Sequence, residues 1–350
     1  MPNNTARNLS RRSLIDLGAK TATALGLSHL FGPISSAASP DRACVCVYLL
    51  GGNDSNNMVV PLDSASFESY AKGRGRLALA QSSLLPVRAR AIPGNYGFHP
   101  ALAGLQDLYN GGRVAVVANV GRADRPLVKG RFDPRELPGD LFLHTGASQV
   151  RYLPGGRLAM AWEPEAADAA ARDRLADNPG NLSQRLARVA AELTRSGSTT
   201  AFTVALSGFD THAGELARQE SLFAELNDGL VSFYRQLQSL GIADRVTVFT
   251  ATEFNRTLAP NAKGGADHGW GGHNLVLGGG VYGADIVGRF PSMELGGPDD
   301  LGTSGVWIPS ISDQQYSYTI ARWYGVSDLS APFPGLRNFP RPDADFLAFH

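Results

Sequence analysis

Cysteine is nearly absent from this chain: Cys44 and Cys46 are the only two in 350 residues. On an extended segment, alternate residues point to one face, which is poor geometry for a disulfide. The pair therefore reads as two small, buried apolar side chains, and the fold has to hold without disulfides. Neither sign of charge is in excess, since 32 Lys and Arg balance 32 Asp and Glu. Such a balance offers no basic surface to nucleic acid. No stretch reaches the roughly 20 mostly apolar residues that a stable membrane span needs. Histidine is scarce as well, with seven in the whole chain, so the position of each one is informative.

The chain start has its own organisation. Arg11-Arg12 stands ahead of a weakly apolar run, Leu14 to Phe31, which is followed by Gly32-Pro33 and by Ser35-Ser36-Ala37-Ala38-Ser39. A charged start, an apolar middle and a small-residue end are the three parts of an export signal, and paired arginines make it the twin-arginine type. The competing reading is an ordinary amphipathic N-terminal helix, which Asp16 and Lys20 inside the run would suit. The expectation is a signal over residues 1–38, handled by the twin-arginine translocase, and one mature domain over residues 39–350, periplasmic or secreted.

Within the mature chain, short apolar runs bounded by turn residues predict buried strands at Cys44–Leu50, Val114–Val120, Ala201–Leu206, Arg245–Ala251 and Asn274–Leu277. Helical spacing predicts helices over Pro100–Tyr109, Leu182–Leu193, Ala213–Leu240 and Gln314–Tyr324. Strands alternating with helices imply an α/β fold with a mainly parallel central sheet and helices on both faces. The stretch 124–181, rich in Pro, Arg, Asp and Gly, reads as excursions off the sheet, with a short helix over Ala166–Ala171. Residues 282–312 read as a small antiparallel piece or a lid. There is no internal repeat.

In open α/β sheets, sites form beyond the carboxyl ends of the strands. The strands expected here lead into Asp54, into Asp210-Thr211-His212 and into Glu253. A glycine-rich loop carries Asp267-His268 and His273, and His144 adds a fifth segment. Imidazoles and carboxylates together form the ligand set of zinc, manganese or iron rather than calcium. Each piece alone is as readily a hydrogen-bonded structural pair. Their shared placement at strand ends is the stronger argument.

Five segments in order, Gly51-Gly52-Asn53-Asp54, Phe209-Asp210-Thr211-His212, Thr252-Glu253-Phe254-Asn255-Arg256-Thr257, Asp267-His268-Gly269-Trp270-Gly271-Gly272-His273 and Gly278-Gly279-Gly280, resemble the bacterial "domain of unknown function 1501" family. The resemblance runs from about Cys44 to Phe339. That family resembles the alkaline phosphatase and sulfatase superfamily, which implies an alkaline phosphatase-like fold and one or two divalent metals, zinc or manganese foremost. By that resemblance, Asp54, Asp210, His212, Glu253, Asp267, His268 and His273 are the expected metal ligands. Arg256 is expected to hold an anionic substrate.

Two residues depart from the family pattern. The loop after the second strand usually reads Ser-His, whereas this chain has Phe142-Leu143-His144-Thr145, with leucine in place of the hydroxyl nucleophile. Thr145 or Ser148 would serve only after a shift in register, so the expected catalytic set is His144, Thr145 and Arg256. The usual glycine before the arginine is Asn255. The resemblance thus implies an exported metal-binding protein that hydrolyses phosphate or sulfate esters with a metal-activated nucleophile. Its alternative is a non-catalytic relative that uses the site for structure or to bind an extracellular anion or polymer. The expected partners are a small anionic ester or polymer and the export machinery, with no nucleic acid and no stable membrane span.

Overall fold

The computed structural model describes residues 42–144, 150–153, 157–160, 180–196, 200–326, 329–330, 332–342 and 344–348. The expected signal, Thr145, Ser148 and the helix expected at Ala166–Ala171 lie outside the described residues. In chain order the strands are β1 (Ala43–Leu50), β2 (Val59–Pro61), β3 (Leu85–Arg88), β4 (Asn95–Phe98), β5 (Val114–Gly121), β6 (Val150–Leu153), β7 (Arg157–Met160), β8 (Thr200–Ser207), β9 (Val246–Thr252), β10 (Gly272–Gly278), β11 (Asp285–Val287) and β12 (Ile311–Ser312). The helices are α1 (Ser64–Arg74), α2 (Ala103–Asn110), α3 (Leu182–Ser196), α4 (Glu215–Ser239) and α5 (Asp313–Tyr324).

Seven strands form the main sheet in the order β11-β5-β10-β9-β1-β8, with β12 also on β5. β1 is parallel to β8 and β9, while β11 and β12 are parallel to β5. Only β10 is reversed, antiparallel to both β5 and β9. The fold is therefore α/β with a mainly parallel central sheet. Both faces are covered, and the pleat of β1 sorts its side chains between them. Val45, Val47 and Leu49 join the core under α2, α3 and α4, while Cys44, Cys46 and Tyr48 join the core under α5. That two-sided burial is why β1 reads as one continuous apolar run. Neither cysteine is joined in a disulfide, and both are buried.

Along α4, Phe223, Leu226, Leu230, Phe233 and Leu237 are buried, one stripe at helical spacing. Each such side chain contributes about 1.5–3 kcal/mol by leaving water. α5 opens on a capping box, Ser312 with Gln315, which satisfies two backbone donors reciprocally.

The structure corrects the reading of residues 282–312. β11 and β12 are neither a separate antiparallel piece nor a lid; they extend the main sheet along the free edge of β5. A three-stranded antiparallel sheet, β2-β4-β3, has no counterpart in the sequence reading. Its strands are three or four residues long, too short for alternation to register. Among the described residues, no helix is long and apolar enough to cross a membrane. One edge of the sheet collects the carboxyl ends of β1, β5, β8 and β9, together with the amino end of the reversed β10.

Candidate metal centre

The loops at that edge are stitched together before any ligand is considered. Gly51 and Gly52 follow β1 with φ of +119° and +86°, a region that glycine enters at no steric cost. A Cβ on Gly51 would fall 2.4 Å from the backbone nitrogen of Asp210. Glu253, following β9, accepts hydrogen bonds from the amides of Gly51 at 2.9 Å and Gly52 at 3.0 Å. The ends of β1, β8 and β9 are thus locked in contact.

On this platform His144, Asp210 and His268 each offer a ligand atom, and those atoms all lie within 4.8 Å of one another. His212 completes the group. Its Nε2 is 3.0 Å from Nε2 of His268 and 3.1 Å from Oδ1 of Asp210, and that oxygen is 3.6 Å from Nε2 of His268. The ring partners decide which nitrogen carries the proton. Nδ1 of His268 lies 2.6 Å from the carbonyl oxygen of Phe142, which only accepts, so this nitrogen donates. Nδ1 of His212 lies 3.2 Å from Oδ1 of Asp267 and donates to it in the same way. With Nδ1 as the donor, the neutral form of each ring turns an Nε2 lone pair toward the other ring and toward a carboxylate oxygen. Arg256 lies against two of these three electron-rich atoms, Nη1 at 3.4 Å from His212 Nε2 and Nη2 at 2.6 Å from Asp210 Oδ1, and offsets part of their repulsion; a bound cation or a proton shared between the rings would offset the rest.

The spacing fits a bound cation. Donors about 2.0–2.2 Å from a tetrahedral zinc stand roughly 3.3 Å apart. Asp267 and the Phe142 carbonyl are placed as the outer partners that fix imidazole ligands. The ring of Phe254 stacks on His268 with centroids 4.2 Å apart and holds its orientation.

Charge is arranged around the group. Burial pushes the Asp210 carboxyl up, but the hydrogen bond and charge of Arg256 outweigh it and hold the pKa below the ordinary value. Hydrogen bonding from Asn261 keeps Asp267 low. Burial lowers His268, keeping it neutral as a ligand must be. His144 is raised chiefly by Glu253, whose Oε1 lies 3.6 Å from its Nδ1.

Three expected residues stand elsewhere. Asp54 follows β1 as expected, but its carboxylate is buried against Arg74, and Arg74 also donates to Glu215 at 2.8 Å. Burial pushes both acids up. The Arg74 charge outweighs it at Asp54, whereas Glu215, facing the Asp54 charge, stays raised and keeps its proton. Asp54 is thereby consumed by a buried ion pair. His273 lies inside β10, stacked on Phe290, with Nδ1 accepting from the Asn119 amide at 3.1 Å. Burial drives its pKa down to about 3. Arg256 is fully buried beneath the centre. Its guanidinium donates to Asp210 at 2.6 Å and to the carbonyl oxygens of Gly51, Gly52 and Ala266, and its Nη1 lies 3.4 Å from Nε2 of His212, so it positions Asp210 and has no face for substrate.

Glu253 and Asp267 are brought to the group as partners of His144 and His212. Leu143 is 54% exposed at the rim. Asn255 is buried and ties two loops together, its Oδ1 accepting from the Ser55 amide at 2.9 Å and its Nδ2 donating to the Gly271 carbonyl at 2.8 Å. Arg74 and Glu215 carry no motif in the sequence, and nothing there singles out the Phe142 carbonyl.

Fold and site define the class: an α/β protein with an imidazole–carboxylate group at the carboxyl edge of its parallel strands. Residues 154–328 match the family described as "Protein of unknown function (DUF1501)", and the chain belongs to that family. No curated protein matches it in sequence. Similar solved structures include the zinc complex of the C-terminal periplasmic domain of EcEptC from Escherichia coli (9% identity, TM-score 0.34, covering 71% of this chain and 77% of that one). Two others are the soluble domain of lipooligosaccharide phosphoethanolamine transferase A from Neisseria meningitidis (10%, 0.38, 84% and 91%) and the lipoteichoic acid synthase LtaP from Listeria monocytogenes (9%, 0.35, 82% and 73%).

Proposed function

We propose that the protein is exported through its N-terminal arginine pair and acts as a metal-dependent hydrolase of phosphate or sulfate esters. The observation that carries the reading is the convergence of two imidazole lone pairs and the Asp210 carboxylate within 3.0–3.6 Å. His212, His268 and Asp210 would hold a divalent cation, zinc or manganese, with Asp267 as the outer partner of His212. Such a cation supplies Lewis acidity, polarising an ester oxygen and acidifying water. The chain's own residues do the rest. Arg256 keeps Asp210 ionised and aimed, Phe254 and the Phe142 carbonyl fix His268, and Glu253 keeps a proton available at His144. His144 is the group placed to move a proton, since it is half-exposed and sits between two carboxylates.

Exposed Leu143 favours a second reading, a non-catalytic binding protein, because it puts an alkyl group where the family places a hydroxyl. The deciding experiment is metal analysis of the purified protein with a screen of aryl phosphate and sulfate esters. The hydrolase reading expects about one or two equivalents of metal and turnover lost with it. His268→Ala and Asp210→Asn should each lower metal affinity by at least about tenfold. Protein that neither carries nor takes up metal rules out both the hydrolase and a metal-based clasp.

A further inference from the structure

Behind the metal centre lies a small cleft that this reading does not use. It is lined by Glu253, Phe254, Trp270, Val120, Arg122 and Asp313, among others. Two of these residues belong to the wall of the centre itself. Phe254 stacks on His268, and Glu253 faces His144. The cleft has room for about 20 Å³, the space of one small group.

Asp313 is the unexplained feature. It is the first residue of α5 and is buried. Its Oδ1 accepts from the amide of Gln314 at 2.9 Å and from the hydroxyl of Ser312 at 3.1 Å, whereas its Oδ2 is buried without a hydrogen-bond partner. A helix N-terminus explains an acid at this position but not an oxygen left bare, because a buried polar atom without a hydrogen bond is costly and a charged one more so. Burial pushes the Asp313 carboxyl up to about 6, so at neutral pH it is mostly ionised and the partner this oxygen lacks is a donor. Two carboxylates line the cleft, Asp313 and Glu253, and its one arginine is already paired with Asp140 at 2.8 Å, so an anion is disfavoured. A bare metal ion would want several oxygen ligands, and here Phe254 and Trp270 share the lining with one free carboxylate oxygen. Rings and a carboxylate together suit an organic ammonium.

We propose that this cleft is a subsite for a primary ammonium group, received by Asp313 beside Phe254 and Trp270. The claim that this ammonium belongs to the substrate, whose ester lies at the metal centre, rests on the hydrolase reading; the binding claim does not.

The test is saturation-transfer NMR on the full chain with methylammonium chloride, with methanol and tetramethylammonium as controls. Methylammonium should give a methyl signal at least about fivefold above either control, and ammonium chloride should displace it while potassium chloride does not. Asp313→Asn should abolish the signal. Val120→Leu, which fills the cleft without touching the carboxylate, should abolish it too and decides the matter if Asp313→Asn fails to fold. Equal signals from methanol, or a signal unchanged in a folded variant, overturn the subsite and leave an ordered water in the cleft. Metal content measured on the same samples separates the two readings. Metal lost with methylammonium binding retained refutes only the hydrolase, and the reverse refutes only the subsite.

Discussion

Replacing Arg74 by Met tests whether Asp54 serves the fold rather than the metal. Arg74 spends every donor internally. Nε reaches Asn57 Oδ1 at 3.0 Å, Nη1 reaches the carbonyl oxygens of Thr257 and Leu258 at 3.1 Å each, and Nη2 serves Asp54 and Glu215. It therefore ties α1 to the start of α4, to the loop after β1 and to the loop after β9. Met fills much of the same volume but leaves the Asp54 charge buried with only the Asn56 amide and the Glu215 proton for company. Removing one partner of a buried pair costs about 3–5 kcal/mol. Urea unfolding at pH 7.5 should show a loss of that size, while Arg125→Met, which breaks the exposed pair with Glu136, should cost less than about 1 kcal/mol. Asp54 has its pKa depressed by Arg74 in the native fold, so it contributes stability above its ordinary 3.8 that is lost as pH falls. In the variant the same carboxyl is raised instead, so the gap between the two proteins should narrow toward pH 4. Asp54→Asn in the Arg74→Met background should recover more than half of the loss. A loss below about 1 kcal/mol, or a gap that widens in acid, would show that Asp54 is not charged and paired as described.

Burial holds His273 and His99 neutral, with pKa values of about 3 and about 4 against an ordinary 6.5. Below pH 6.5 the unfolded chain takes up protons that the fold refuses, so stability should fall with acid by up to about 1.4 kcal/mol per pH unit for each group; urea midpoints that stay flat down to pH 5 would contradict this. Leu143→Ser restores the hydroxyl next to His144, and aryl ester turnover should rise by about tenfold or more, equivalent to about 1.4 kcal/mol of barrier. No gain at all in metal-loaded protein favours the binding reading. Changing Arg11 and Arg12 to Lys should leave the precursor in the cytoplasm, which fractionation would reveal; normal accumulation outside it would sink the export reading.

The sequence made the strands of the main sheet legible because continuous burial on both faces leaves an unbroken apolar run. It made the imidazole–carboxylate group legible where chemistry and strand ends coincide, at Asp210, His212 and His268. It misplaced His273 because the expected strand began at Asn274 and the real one begins at Gly272, and two residues suffice to move a side chain from loop to core. Arg256 reads as a substrate clamp until its burial is known. Asp54 reads as a ligand because nothing local announces Arg74, twenty positions on at the end of α1, or Glu215 far along the chain. The direction of a loop carboxylate is set by partners that only the folded chain assembles.

The wiring of β1 bears on how the chain reaches its native state. Ala43 pairs with Thr200 on one side and with Val246 on the other, so the central ladder joins residues that are far apart along the backbone. Such closure is slow, because a long loop must be ordered before any of its contacts form. Until β8 has been synthesised, β1 has neither of its neighbours, and it keeps one open edge until β9 follows; an apolar strand with open edges invites pairing with other chains. A nascent chain of this kind is at greatest risk of aggregation during most of its own translation, and it gains from any factor that shields residues 43–50 until Thr252 has emerged.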